Sequence, residues 1–159
     1  MKENGIIYHR AFEPASRALA NTTYNGEADI TDADGIPLGD AEEFDVEIQL
    51  GVLNSSLTSI TYSLHLSTLA TPTSAADLTA ITGASLAVAA ADASSQKVIN
   101  VKLSKANKPN NDEPLYLYVK RVQVGAVAAL DAVSVKLFDC KDLPKKALAG
   151  TADYSVALT

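Results

Sequence analysis

Ten residues in the second half of the chain, Leu115 to Val124 (Leu-Tyr-Leu-Tyr-Val-Lys-Arg-Val-Gln-Val), restrict its fold more than any others. Leu115, Leu117 and Val119 fall on one face of an extended strand, and Tyr116, Tyr118 and Lys120 fall on the other. Aromatic and β-branched residues in strict alternation predict a strand, best placed centrally in a two-layer structure. The tyrosine face is only half polar, so a terminal segment or a neighbouring molecule is expected to cover it. Lys120 and Arg121 place one charge on each face. An inward charge needs a partner, which predicts either a β-bulge here or an Arg121 that faces a subunit interface.

Other stretches repeat the period. Phe44, Val46, Ile48 and Leu50 alternate with Asp45, Glu47 and Gln49, the pattern of a half-buried antiparallel strand. Ile60, Tyr62, Leu64 and Leu66 form the inner face of a second strand of matching length, expected to pair with the first. Ile99, Val101 and Leu103 mark a third. Val133 to Phe138 mark a fourth, read as the hairpin partner of 115–124 across the loop Gly125 to Asp131. Ala28-Asp29-Ile30 is a candidate short strand. Residues 68–95 read as a long crossover with one short helix, opened by a capping box at Ser74-Ala75-Ala76-Asp77. Six to eight strands without a βαβ rhythm predict an all-β antiparallel sandwich, jelly-roll-like or immunoglobulin-like. The missing Cys…Trp…Cys pattern removes the disulfide-bonded immunoglobulin version.

Three regions follow. Residues 1–26 read as an N-terminal arm, with a short strand at Ile6-Ile7-Tyr8, a helical turn from Pro14 to Leu19 and a tight turn at Asn25-Gly26. Residues 27–139 form the sandwich. Residues 140–159 read as a C-terminal tail in which Tyr154, Val156 and Leu158 alternate, so that it docks as a strand, on its own sheet or on a neighbour.

The chain of 159 residues is long enough to bury a sizeable core. Small and β-branched residues dominate and Trp is absent, which suits closely packed sheets. The net charge is −6 and uneven. No Lys or Arg occurs from Ala18 to Gln96, whereas 11 acids lie between Glu27 and Asp92; from Lys97 onward there are 10 bases against 6 acids. An acidic total argues against nucleic acid as a partner, because phosphate neutralisation needs a basic face. The asymmetry reads as a solvated acidic edge or as a device that orients the molecule against a partner. The N-terminus lacks an apolar signal-peptide core, and no stretch approaches 18 consecutive apolar residues, so no membrane span is expected. Cys140 is the one cysteine, a buried hydrophobe or a reactive thiol, and it cannot form an intramolecular disulfide.

No catalytic, cofactor-binding or metal constellation stands out. His9 and His65 are the only histidines, and Gly83-Ala84-Ser85 is not a nucleophile elbow. Two histidines 56 positions apart without cysteine make a poor zinc set. Asp32-Ala33-Asp34-Gly35 resembles half of a calcium loop, but Ile30 and Ala41 stand where an EF-hand needs carboxylates. An Asp-Gly turn is the plain reading; Asp29, Asp32, Asp34, Asp40 and Glu42 are the candidates for a different calcium site. Glu42-Glu43 lies in a charge run, and the absence of Trp removes the usual sugar-stacking platform.

Taken together, Pro114 to Val119, the Gly125 to Ala132 loop and Val133 to Leu137 resemble the late strands of the small decoration (cement) proteins on tailed-bacteriophage capsids. Thr22 to Gly26, Phe44 to Leu50, and Ser63 to Thr73 match the earlier part of the same pattern, so the likeness covers roughly residues 20–139. It rests on strand patterns, and the arm and tail depart from it. The resemblance implies a non-enzymatic virion protein without cofactors. Such a protein binds the outer surface of an icosahedral capsid, with the major capsid protein and its own copies as partners, a trimer being favoured, and no nucleic acid or membrane involved. It is made in the host cytoplasm and ends on the capsid exterior. Two other classes stay open: a glycan- or protein-binding module of a fibre or surface layer, and a hydrolase that uses His9 or His65.

Overall fold

The structure, a computed structural model, describes residues 5–17, 22–39, 41, 43–103, 114–125, 127–140 and 156–158. Among the described residues ten strands form two antiparallel sheets: β1 (Gly5–Arg17), β2 (Thr22–Tyr24), β3 (Ile36–Pro37), β4 (Glu43–Leu53), β5 (Ser59–Ser67), β6 (Thr79–Val88), β7 (Gln96–Lys102), β8 (Tyr116–Val124), β9 (Ala129–Cys140) and β10 (Val156–Leu158). One sheet has the order β10-β1-β9-β4-β7; the other has β2-β8-β5-β6, with β3 also on β8. Pairing is nested, β1 with β9, β2 and β3 with β8, β4 with β7 and β5 with β6.

One core lies between the sheets. Phe44, Val46, Ile48, Val133, Val135 and Leu137 from the first sheet meet Ile60, Tyr62, Leu64, Leu117 and Val119 from the second, all with no exposed surface. These are the residues that alternation places inside, and burying each large aliphatic side chain contributes about 1.5–3 kcal/mol. The all-β sandwich is therefore as expected.

Partners within the sheets differ from expectation in two places. β4 and β5 lie in different sheets, as do β8 and β9, so neither pair is a hairpin. A strand with one buried face satisfies its alternation in either sheet, and a short crossing segment lets consecutive strands face each other across the core instead of bonding edge to edge. The stretch 68–95 is also more regular than a crossover. It holds the edge strand β6 and two single 3-10 turns, Ala75–Asp77 and Ala90–Asp92, in place of one short helix. The capping box is present: Ser74 Oγ accepts from the Ala76 amide (3.3 Å) and Asp77 Oδ2 from the Ser74 amide (3.0 Å).

The stretch read as an arm supplies β1 and β2. Pro14 starts no helical turn; the strand runs through it to Arg17, with register shifts at Arg10/Phe12 and Phe12/Ala15 that absorb the missing amide. The first shift turns both Ala11 and Phe12 inward. Ala28 to Ile30 is a turn, not a strand. Among the described residues no helix is long and apolar enough to cross a membrane.

Candidate functional site

Asn25 and Gly26 form the expected tight turn, with φ of 44° and 93° and reciprocal hydrogen bonds between Tyr24 and Glu27. The Asn25 side chain then acts as a short piece of strand against β8. Its Oδ1 accepts from the Val119 amide at 2.8 Å, and its Nδ2 donates to Leu117 O (3.2 Å) and Asp34 O (2.8 Å). This pins residues 24–35 over the outer face of β8. Tyr118 is fully buried beneath them with Tyr24, Ile30 and Ala33. Its hydroxyl donates to Leu69 O (3.0 Å) and Ala70 O (2.6 Å), while Gly35 N donates to Ala70 O (2.9 Å). Among the described residues, then, the cover of Tyr118 is this internal segment. Burial pushes the Tyr118 phenol up, the nearby Asp34 and Tyr116 adding to it.

Arg121 lies within the core with no exposed surface. Neither expectation for it holds. β8 runs beside β5 in unbroken register from Tyr116 to Val124, so no bulge intervenes, and the partner is internal. Arg121 Nε donates to Asp131 Oδ2 at 2.5 Å, and Arg121 Nη2 donates to Gln123 Oε1 at 2.7 Å. Tyr62, opposite Arg121 on β5, donates its hydroxyl to the same Asp131 oxygen at 2.5 Å. Gln123 Nε2 closes the network on Gly125 O (2.9 Å) and Val127 O (2.7 Å). Asp131 sits on β9, so the ion pair bridges the two sheets. Desolvation, then the Asp131 carboxylate, pushes the Tyr62 phenol far above its ordinary range. Shut from solvent and bonded to one another, with Arg121 Nη1 alone of their polar atoms lacking a partner among the described residues, these groups form a staple that ties the two sheets together.

The two histidines are not brought together. His9 faces inward on β1 opposite Val135, 5% exposed, and neither ring nitrogen has a hydrogen-bond partner among the described residues. Desolvation lowers its pKa to about 4, so it is a neutral core residue near neutral pH. His65 lies on the outer face of β5, half-buried, with Nε2 3.0 Å from Ser63 Oγ. Burial, then the charge of Lys120, lowers its pKa. The cross-strand neighbours of Ser63 and His65 are Lys120, Tyr118, Ser85 and Ala80, none of them a carboxylate.

Asp29 Oδ1 accepts from the Thr31 amide (3.0 Å) and hydroxyl (2.9 Å), which holds its carboxyl below the usual range and marks a local turn. Asp32 and Asp34 are exposed, and among the described residues no three carboxylates, histidines or cysteines gather as a metal site. Asp40, Glu42 and the Cys140 side chain lie outside what is described. Gly83-Ala84-Ser85 falls in edge strand β6.

What the fold does assemble is the outer face of the first sheet. Cross-strand register sets Tyr8, Lys136, Asp45 and Asn100 in one row across β1, β9, β4 and β7. Phe138, Glu43 and Lys102 form the row on one side, and Arg10, Ser134, Glu47 and Val98 the row on the other. Lys136 Nζ lies over the rings of Tyr8 (5.6 Å) and Phe138 (5.0 Å). Asn100 Nδ2 donates to both Glu43 (3.0 Å) and Asp45 (2.8 Å), and Lys102 is paired with Glu43 at 3.9 Å. Three carboxylates on β4 are thus flanked by Lys136 on β9 and Lys102 on β7, with Arg10 one strand further on β1, in a face that also carries two aromatic rings. The alternation of β4 exposed the carboxylates in the sequence; nothing in the sequence joined Tyr8 to Lys136 and Asn100. No family model matches the chain, and no curated protein matches it, so the reading of this face rests on its own residues.

Proposed function

We propose that this chain is a non-enzymatic structural protein of a virion, which binds the outer surface of an icosahedral phage capsid and stabilises it. The observation that carries the binding role is the division of its polar chemistry. Arg121, Asp131, Tyr62 and Gln123 are engaged inside the protein as a staple, whereas the half-buried Tyr8, Lys136, Phe138 and the β4 carboxylates form a charged, aromatic-bearing sheet face. Such a face suits the surface of another protein, since aromatic residues and Arg enrich interfaces and complementary charges fix register. The capsid as partner comes from the resemblance over residues 20–139, with synthesis in the host cytoplasm, a place on the virion exterior and self-association, a trimer being favoured.

The test is light scattering of the purified protein together with co-sedimentation on empty shells of a tailed phage. The expected result is an oligomer that pellets with shells, and a Lys136→Glu variant of unchanged fold that pellets at least about tenfold more weakly, as removal of a central anchor does. A monomer that stays in the supernatant overturns the proposal. One observation favours a second reading: Tyr8 and Phe138 flanking Lys136 offer a platform for a sugar ring. Binding on a glycan array that Tyr8→Ala abolishes supports that alternative, a module of a fibre or surface layer.

A further inference from the structure

Four buried side-chain polar atoms among the described residues have no hydrogen-bond partner: both ring nitrogens of His9, Thr23 Oγ1 and Arg121 Nη1. A buried donor or acceptor without a partner is costly, and in folded proteins an ordered water or ion commonly supplies the missing bond. The four do not lie in one place. His9 is on β1, in the first sheet, opposite the apolar Val135. Thr23 and Arg121 stand directly opposite each other on β2 and β8, neighbouring strands of the second sheet. Both are buried: Thr23 is 8% exposed and Arg121 has no exposed surface. Cβ atoms of directly opposed residues lie about 4.5–5.5 Å apart, so two unpartnered groups share one small region of the interior.

The chemistry of that region is restricted. A guanidinium is planar, and its donors are fixed in a fork. Nε of Arg121 is bound to Asp131 and Nη2 to Gln123, so Nη1 cannot turn to another partner without breaking one of these bonds. It needs an acceptor brought to it. Thr23 Oγ1 both donates and accepts, which completes a two-point site for a molecule able to do the same. The charge of Arg121 is already matched by Asp131, so an anion here would put an unbalanced charge into the core, at high cost. A single water molecule meets these conditions.

We propose that Thr23 Oγ1 and Arg121 Nη1 hold an internal water, which joins the edge strand β2 to the sheet-bridging staple. The chain Thr23–water–Arg121–Asp131 then connects β2 and β8 with β9 of the opposite sheet. It secures the three residues of β2, as the Asn25 side chain secures the turn that follows. This role is independent of the partner bound by the outer sheet face.

Magnetic relaxation dispersion of the water oxygen, measured on the full-length protein in solution, counts waters held for longer than the molecule tumbles. Wild type and Thr23→Ser are expected to hold one more such water than Thr23→Val, which keeps the shape of the side chain and removes the hydroxyl. The double variant Arg121→Met/Asp131→Leu, which lacks the other half of the site, is expected to lose the same water. Amide exchange over residues 22–24 is expected to quicken in Thr23→Val and to stay near the wild-type rate in Thr23→Ser. Equal water counts in the wild type and in both variants that lack half of the site overturn the proposal. Chloride resonance linewidths in the same samples test for a halide: broadening by the wild type that Thr23→Val abolishes identifies a bound chloride and also overturns it.

Discussion

Replacing Asp131 with Asn tests the sheet-bridging staple directly. The substitution keeps the shape of the side chain and removes its charge, leaving Arg121 fully buried without a counterion. One Arg121 nitrogen, Nη1, already has no hydrogen-bond partner among the described residues, so the guanidinium has little else to rely on. Breaking a buried ion pair from one side costs about 3–5 kcal/mol. Tyr62 loses part of its bond as well, because its hydroxyl donates to the same oxygen. Against a total stability of about 5–15 kcal/mol the loss is large, and at about 2–4 °C per kcal/mol it lowers Tm by roughly 6–20 °C. Urea denaturation followed by circular dichroism, with thermal melts alongside, measures it. The double replacement Arg121→Met/Asp131→Leu removes both charges and fills the space. It is expected to lie close to the wild type or above it, since an apolar substitute for a buried pair is often neutral to stabilising by about 1–4 kcal/mol. An Asp131→Asn variant that loses less than about 1 kcal/mol refutes the reasoning, for the pair would then behave as an exposed one.

Three further outcomes follow from the same geometry. His9 has a folded pKa of about 4 against 6.5 for the free side chain; the unfolded chain binds the proton first, so stability falls as pH drops from 6.5 toward 4. Linkage gives about 2 kcal/mol between pH 7 and 5, and urea midpoints of His9→Leu are expected to vary less over that range than those of the wild type. Gly35→Ala places a Cβ 2.5 Å from the Tyr118 hydroxyl and 2.6 Å from Tyr116 Cβ; it is expected to cost about 1–3 kcal/mol by displacing the 24–35 segment, seen as faster amide exchange there. Asn25→Ala removes three side-chain hydrogen bonds at a residue with φ of 44°; a loss of about 1–3 kcal/mol is expected, with near-UV dichroism of the covered tyrosine reporting the change.

The sequence by itself determined what is local. Alternation settled which faces of β4, β5, β8 and β9 are buried, because side chains on a strand point to opposite sides whatever lies beside it. Asn25-Gly26 settled its turn, since both residues tolerate positive φ, and Ser74 with Asp77 settled its cap, since the two groups lie within one turn of each other. Tertiary structure decided everything that depends on a distant neighbour. Alternation does not say which strand supplies the hydrogen bonds, so β4 and β5 separate into two sheets, as do β8 and β9. β6 exposes most of its residues and has weak periodicity; its ladder with β5 alone defines it. Arg121 was recognisable as an inward charge, but its partner belongs to the opposite sheet. Only the packing of β8 against β9 brings Asp131 within 2.5 Å of it, and the low dielectric of that core is what makes the contact matter.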